Sequence, residues 1–306
     1  MKVCDRATVL RDGEKVKTVN ICDTTGDELV NMMVGRSLKE RYPKLDGGER
    51  GRPLLQVRGL CRRGVFKDIT FDAYAGEILA ITGLVGAKRT ELLRAIFGAD
   101  KIDEGEILVA EQPVRIRNVQ DAIAQGLALL NEDRKNQGLL LEMSVNDNIA
   151  VTGINCKKVS KVYLRGPFVN KAAVLQNSQK YVERLKIKTP SLQQIVKNLS
   201  GGNQQKVILG KWLSTDARIV MVDEPTRGID VGSKAEIYML MEQLAMNGVA
   251  VIMVSSELPE VIGVSDRILV MRSGEIVAEL DPKHTNEEEI VKFSATEVKH
   301  EKQNAS

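Results

Sequence analysis

Leu199-Ser200-Gly201-Gly202-Asn203-Gln204-Gln205-Lys206-Val207, followed by Ile219-Val220-Met221-Val222-Asp223-Glu224-Pro225, is the part of the chain that decides its reading. A serine and two glycines at a helix start leave backbone N–H groups and a hydroxyl free to grip an anion such as a γ-phosphate, and the helix dipole adds to the attraction. Four apolar residues ending in two carboxylates describe a buried strand that brings Asp223 to its C-terminal edge. In a phosphate-binding α/β sheet that edge is where ligand and Mg²⁺ sit.

A third stretch lies upstream. The strand-like run Ile78–Thr82 leads into Gly83-Leu84-Val85-Gly86-Ala87-Lys88-Arg89-Thr90 and then into a helical Glu91-Leu92-Leu93-Arg94-Ala95-Ile96. Strand, glycine-bearing loop and helix start together aim backbone N–H groups at phosphates. The pattern expected of such a loop is G-x-x-x-x-G-K-[ST], with lysine on the β- and γ-phosphates and the hydroxyl on Mg²⁺. Gly83 and Thr90 fit it. Lys88 stands at the second glycine and Arg89 at the lysine. By itself this loop also fits an ordinary strand–turn–helix connection.

The surrounding pattern predicts a parallel α/β core. Strand-like runs occur at Leu54–Val57, Ile69–Phe71, Glu77–Thr82, Ile107–Val109, Ile219–Val222 and Val249–Val254, with a helix around Lys234–Met246. Buried strands alternating with helices build such a core. Residues 135–198 read as a helical insertion, with helix periodicity around Val174–Leu185.

Composition narrows the function classes. The 306 residues are 43% hydrophobic and 28% charged, with a net charge of +3, which is too little to argue for a nucleic acid or an anionic membrane as partner. Aromatic residues are 4%, a poor supply for base stacking. The four cysteines (Cys4, Cys22, Cys61, Cys156) form no CxxC pair and read as reduced thiols, and the two histidines, His284 and His300, are too few for a histidine-based centre. No apolar run reaches the roughly 18 residues a membrane helix needs, so membrane association is expected to run through a partner.

The chain also repeats itself. Residues 5–30 align with residues 266–291 without a gap: Asp5, Arg6, Val9, Arg11, Gly13, Glu14, Val16, Thr24, Glu28 and Val30 meet Asp266, Arg267, Val270, Arg272, Gly274, Glu275, Val277, Thr285, Glu289 and Val291. Each copy predicts strand, turn, strand and a short helix near the threonine. A period of this length is a whole domain. The chain therefore reads as the end of one domain (1–44), a Gly-rich charged linker (45–53), a complete domain (54–295) and a polar tail (296–306).

The two deciding stretches, in this order and with the phosphate loop upstream, resemble the signature and Walker B motifs of ATP-binding-cassette (ABC) ATPases. The resemblance runs from Leu54 to Ala295, and residues 1–44 resemble the end of a preceding cassette. It is strongest to the duplicated ATPases of bacterial monosaccharide importers of the ribose/galactose/xylose type, through Met33-Val34-Gly35-Arg36-Ser37, the phosphate loop, Glu132-Asp133-Arg134-Lys135 and Asp223-Glu224-Pro225-Thr226-Arg227-Gly228-Ile229-Asp230-Val231-Gly232. The Lys88-Arg89 variant leans toward galactose/methyl-galactoside importers.

That resemblance implies a P-loop core with a mostly parallel sheet, an antiparallel β subdomain and an inserted helical subdomain. It implies ATP and Mg²⁺ as cofactors and a head-to-tail pair of cassettes, each nucleotide lying between one cassette's phosphate loop and the other's signature motif. By position, Gly83, Gly86, Ala87, Lys88, Arg89, Thr90 and Glu91 would hold nucleotide, and Thr90, Asp223 and Glu132 would serve the metal. Glu224 would be the general base on the attacking water, the lesser alternative being a carboxylate favoured by a helix N-terminus. Ser200, Gly201, Gly202, Asn203 and Asp230 would reach the partner cassette.

The implied partners are the N-terminal cassette of the same parent protein, a transmembrane permease and, indirectly, a periplasmic sugar-binding protein, with no nucleic acid. The implied place is the cytoplasmic face of the bacterial inner membrane, held peripherally. Three positions depart from the family: Arg89 for lysine, Glu132 for glutamine, and Ser256 for the switch histidine. A planar guanidinium does not fill a point-charge socket equivalently. The departures imply a weakly hydrolysing site whose signature motif completes the partner's. The alternative is a regulatory or scaffolding domain that binds nucleotide without turnover; a non-transport ABC ATPase is disfavoured by the lack of long coiled-coil insertions and basic arms.

Overall fold

The computed structural model describes residues 4–11, 14–25, 28, 29, 32, 50–156 and 158–295. Gly13, Val30, the string Met33–Ser37, linker residues 45–49 and the tail 296–306 lie outside the described residues.

The core is a six-stranded sheet in the order β14-β13-β5-β12-β11-β8, made of β5 (Ile78–Thr82), β8 (Leu127–Leu130), β11 (Ile219–Asp223), β12 (Ala250–Val254), β13 (Arg267–Arg272) and β14 (Glu275–Leu280). Strands β13, β5, β12, β11 and β8 run parallel, and β14 closes the edge antiparallel to β13. Every residue of β5, β11 and β12 is buried, which explains the apolar runs Ile78–Ile81, Ile219–Val222 and Ala250–Val254. Burying each such isoleucine, valine or leucine is worth about 1.5–3 kcal/mol against an exposed side chain.

A second, antiparallel sheet has the order β4-β3-β6-β7, with β3 (Pro53–Arg62), β4 (Phe66–Tyr74), β6 (Glu104–Val109) and β7 (Gln112–Val114). Helix α1 (Arg89–Ile96) follows β5, and α2 (Val119–Ala124) precedes β8. The stretch between β8 and β11 holds α3 (Val145–Asn155), α4 (Ser160–Tyr163), a two-stranded β9 (Leu164–Arg165)/β10 (Phe168–Val169) hairpin and α5 (Lys171–Arg184). Helix α6 (Gly201–Leu213) follows and is buried nearly all round. Helices α7 (Val231–Met246), α8 (Leu258–Val264) and α9 (Glu287–Ala295) complete the chain. The expected α/β class with its antiparallel and helical additions is present.

The sequence repeat has a structural counterpart. Strands β1 (Arg6–Arg11) and β2 (Glu14–Asn20) form a hairpin whose register breaks between Val9 and Leu10; β13 and β14 break between Val270 and Met271, the aligned positions. Arg11 pairs with Glu14 as Arg272 pairs with Glu275. The threonine after each hairpin donates to the aligned glutamate, Thr24 to Glu28 at 3.1 Å and Thr285 to Glu289 at 2.7 Å. Register, bulge and capping contact are thus shared as well as residue identity.

Candidate functional site

Strand β5 delivers the loop Gly83–Lys88 to the start of α1, and the backbone there has the conformations a phosphate cradle needs. Gly83 has φ +154°, and a Cβ on it would meet the Met271 carbonyl oxygen at 2.1 Å, so no side chain fits. Gly86 has φ +86° with open space around it. Lys88, standing at the second glycine position, takes a left-handed φ of 76° and caps α1 without a side-chain bond. The cradle is kept at a cost of about 1–2 kcal/mol for a non-glycine in that region. Its amine pairs with Glu91 at 3.2 Å on a half-exposed surface.

Arg89 does not point at solvent. One Nη donates to the Ser255 carbonyl oxygen at 2.9 Å and the other lies 4.0 Å from Glu224 Oε1, with both side chains largely buried. Thr82, at the end of β5, donates to the same carbonyl at 3.0 Å. Glu224 follows β11 with a left-handed φ of 47°, and its N–H donates to Val254 at 2.9 Å. That strained turn swings the carboxylate away from the strand line and toward Arg89.

Asp223 is 3% exposed, and burial, only partly offset by a hydrogen bond from the Thr90 hydroxyl, pushes its carboxyl up to about 6. Its Oδ1 is buried with no hydrogen-bond partner. A buried carboxylate oxygen without a donor, beside a hydroxyl, is a donor set suited to a hard divalent cation, so Thr90 and Asp223 fit Mg²⁺. Glu132 is instead ion-paired with Arg227. Ser256 is exposed, while its neighbour Ser255 is buried.

Behind this cluster stands Glu260, 1% exposed on α8. Its carboxylate accepts from the Ser255 hydroxyl at 2.6 Å and the Thr226 hydroxyl at 3.3 Å. Burial raises it to about 7. It ties the turn after β11 to the segment that holds Arg89. In the sequence Glu260 looks like one more surface charge; the signal that it is not was its place beside Val261 and Val264 on the buried face of a short apolar helix.

The second anion-facing feature is the start of α6. Ser200 is the N-cap residue, exposed, with no side-chain capping bond; its Oγ instead accepts from Asn203 Nδ2 at 2.9 Å. The first backbone N–H groups of α6 are thereby left for a ligand. Gly202 is buried, and a Cβ there would meet Ser233 Cβ at 2.6 Å. Asp230 caps α7 by accepting from the Ser233 N–H at 2.9 Å. Partial burial opposes ionisation of Asp230, but the Ser233 backbone and side chain outweigh it and hold the carboxyl below the ordinary range.

A sequence profile of the ABC transporter family matches residues 66–227, which take in the phosphate loop, the Ser200 helix start and the Asp223-Glu224 strand end. The chain belongs to that family. Among curated proteins it is 46% identical over 304 residues to a ribose import ATP-binding protein of Oceanobacillus iheyensis, covering 98% of this chain and 59% of that protein. It is 46% identical over 294 residues to a putative ribose/galactose/methyl galactoside import ATP-binding protein of Burkholderia cenocepacia, covering 96% and 56%. The chain thus spans less than two thirds of the length of these relatives. Among solved structures, a nucleotide-free ATP-binding cassette from an ABC transporter superposes with TM-score 0.64 at 22% identity, over 75% of this chain and 92% of that one, which supports the fold. Among the described residues no helix is long and apolar enough to cross a membrane.

Proposed function

We propose that this cassette binds ATP and Mg²⁺ as the second of two ABC domains in a sugar-import ATPase, and that its main catalytic contribution is to the other domain's site. The observation that carries this is the contrast between Arg89, already bonded to Ser255 and facing Glu224, and the exposed, uncapped Ser200–Gly202 helix start. Thr90 and Asp223 would hold Mg²⁺, which supplies charge neutralisation to the phosphates when bound. Glu224 stands at the position of a general base, with the Arg89 guanidinium 4.0 Å from its carboxylate, where an attacking water would have to be held. Arg89 must give up its protein contacts before it can serve a phosphate. Slow turnover at this site follows.

The second hairpin copy, with its shared bulge and capping pair, supports a duplicated parent whose N-terminal cassette supplies the opposing phosphate loop. The relatives' names support monosaccharides of the ribose and galactose kind as cargo, delivered by a periplasmic binding protein and passed by a permease. An apolar cleft of about 550 Å³ between α3 and α5, lined by Met143, Ala150, Val151, Ile154 and Leu175, supports a protein partner on the helical part. Through that partner the cassette would sit on the cytoplasmic face of the inner membrane.

The test is sugar uptake by the two-cassette protein with its permease. Ser200→Arg lowers uptake by about 100-fold or more, as loss of backbone donors to a phosphoryl group does. Glu224→Gln changes it by no more than about threefold, far from the roughly 100-fold loss that follows removal of a working base. The opposite ranking overturns the division of labour. The Arg89–Glu224 contact also favours a purely regulatory, non-hydrolysing domain; phosphate release above background from this site, with the other cassette's base removed, excludes that reading.

A further inference from the structure

The loop that follows β8 carries a side chain whose geometry none of the foregoing roles explains. Asp133 caps a short π-helical turn, Arg134–Gly138, by accepting from the Asn136 N–H at 3.1 Å. Arg134 then reaches across the molecule. Its Nη1 donates to the Arg227 carbonyl and its Nη2 to the Gly228 carbonyl, each at 2.9 Å. These two successive carbonyls belong to the turn between Glu224 and Asp230, and Gly228 there has φ +65°. The same guanidinium lies against the first residue of α6: a Cβ on Gly201 would stand 2.9 Å from Arg134 Nη2 and 3.3 Å from the Gly228 carbonyl oxygen. Glu132 adds an ion pair to the Arg227 side chain. The far end of the loop is held to the same helix, since Lys211 of α6 donates to the Gly138 carbonyl at 2.5 Å and a Cβ on Gly138 would meet Ile208 Cδ1 at 2.7 Å.

A fork that satisfies two consecutive carbonyls is a task for a planar guanidinium; a lysine amine reaches one. The loop 131–138 is therefore strapped along α6 and, through Arg134, locked to the turn that presents Asp230. We propose that Arg134 is a positioning residue that moves Asp230 and the Ser200–Gly202 helix start as one body, so that any displacement of loop 131–138 reaches both groups offered to the opposing cassette. This rests on the reading that those two groups serve the other cassette's nucleotide. Arg134 acts through the Arg227 and Gly228 carbonyls and through Gly201.

Two measurements separate the clamp from that reading. The first is amide hydrogen exchange on the full 306-residue chain. Arg134→Ala speeds exchange over residues 227–233 by about tenfold or more, the loss expected when two charge-assisted bonds go, while residues 83–96 keep their rates. Unchanged exchange over 227–233 overturns the proposal. The second is ATP turnover by the two-cassette protein with its permease. Arg134→Ala lowers kcat about tenfold with KM for ATP unchanged, and Arg134→Lys restores less than half of the loss. A lysine variant with full activity, or an alanine variant that raises KM instead, overturns it as well. On a Ser200→Arg background Arg134→Ala adds less than about twofold, because the group it positions is already spoiled. If Ser200→Arg alone is silent, the opposing-site reading fails, and the exchange result still decides whether Arg134 clamps the turn.

Discussion

At the start of α1, Lys88 holds a left-handed φ of 76° and Arg89 has its guanidinium on the Ser255 carbonyl and beside Glu224. At the start of α6, the N-cap residue Ser200 holds an extended φ of −60° and ψ of 157°, makes no side-chain capping bond, and is exposed. Both are glycine-bearing helix N-termini, and they differ in what their polar groups already do. In the first, the charged side chains are engaged by the chain itself. In the second, the donors are left over. A helix start acts on a ligand only with donors that the protein has not already used, so the two halves of one cassette are in unequal states of readiness.

The largest effect that sharpens this comparison is steric. Gly83→Ala would place a methyl 2.1 Å from the Met271 carbonyl at φ +154°, both impossible without backbone movement. The variant is expected to lose about 3–5 kcal/mol, combining strain with overpacking. Gly202→Ala meets side chains and no backbone among its three nearest neighbours: Ser233 at 2.6 Å from its Cβ and 2.7 Å from its Oγ, and Ile229 Cγ2 at 3.8 Å. It is expected to lose about 1–3 kcal/mol. Chemical denaturation of both variants checks the ranking; equal losses would mean that the first loop is no more tightly built in than the second.

The next effect lies behind Arg89. Glu260 is raised from 4.5 to about 7, chiefly by burial. A carboxyl whose folded value is raised stabilises most below its unfolded value and loses that contribution as pH climbs through the folded one. Between pH 4.5 and about 7 the loss amounts to about 3 kcal/mol at 1.36 kcal/mol per unit. Asp223, raised from 3.8 to about 6, works in the same direction. Glu260→Gln removes the Glu260 share, so stability measured from pH 5 to 8 should fall less steeply in the variant than in the parent. Parallel curves would show that Glu260 ionises freely and does not brace Ser255.

The sequence alone allowed the parallel core, the phosphate loop, the Ser200 helix and the Asp223 strand end to be placed, because each is a local pattern of apolar runs and glycines. The repeat was legible as well, down to the aligned threonine–glutamate pairs. The antiparallel strands β3 and β4 were longer than the apolar runs at Leu54–Val57 and Ile69–Phe71, since an edge-rich antiparallel strand continues through outward polar residues such as Arg58 and Asp72. The fate of Arg89 was not legible. Its partner Ser255 is 166 residues away, and only the β5–β12 pairing brings the two together. Glu260 was hidden for the same reason: its hydroxyl partners come from two different loops.

Arg89→Lys tests whether the first helix start is held back by the fork itself. A lysine cannot reach the Ser255 carbonyl and face Glu224 at once, so its amine is released toward the loop. ATP affinity of this site, followed with a fluorescent nucleotide on Glu224→Gln protein, should tighten by about tenfold, or 1.4 kcal/mol. No change would mean that the loop backbone, and not Arg89, limits binding.

The smallest effect isolates the backbone. Lys88 sits at φ 76° and ψ 26°, where glycine carries no Cβ penalty. Lys88→Gly relieves roughly 1 kcal/mol of left-handed strain and forfeits a Lys88–Glu91 pair on a half-exposed surface, worth well under 1 kcal/mol. The unfolded chain's greater freedom with glycine takes back a few tenths more. The expected net change is a small stabilisation, under about 1 kcal/mol by thermal melting, with the loop geometry unchanged. A loss of stability would show that the Lys88 amine matters more to this loop than the conformation it is forced to adopt, and the inequality between the two helix starts would then be one of charge placement alone.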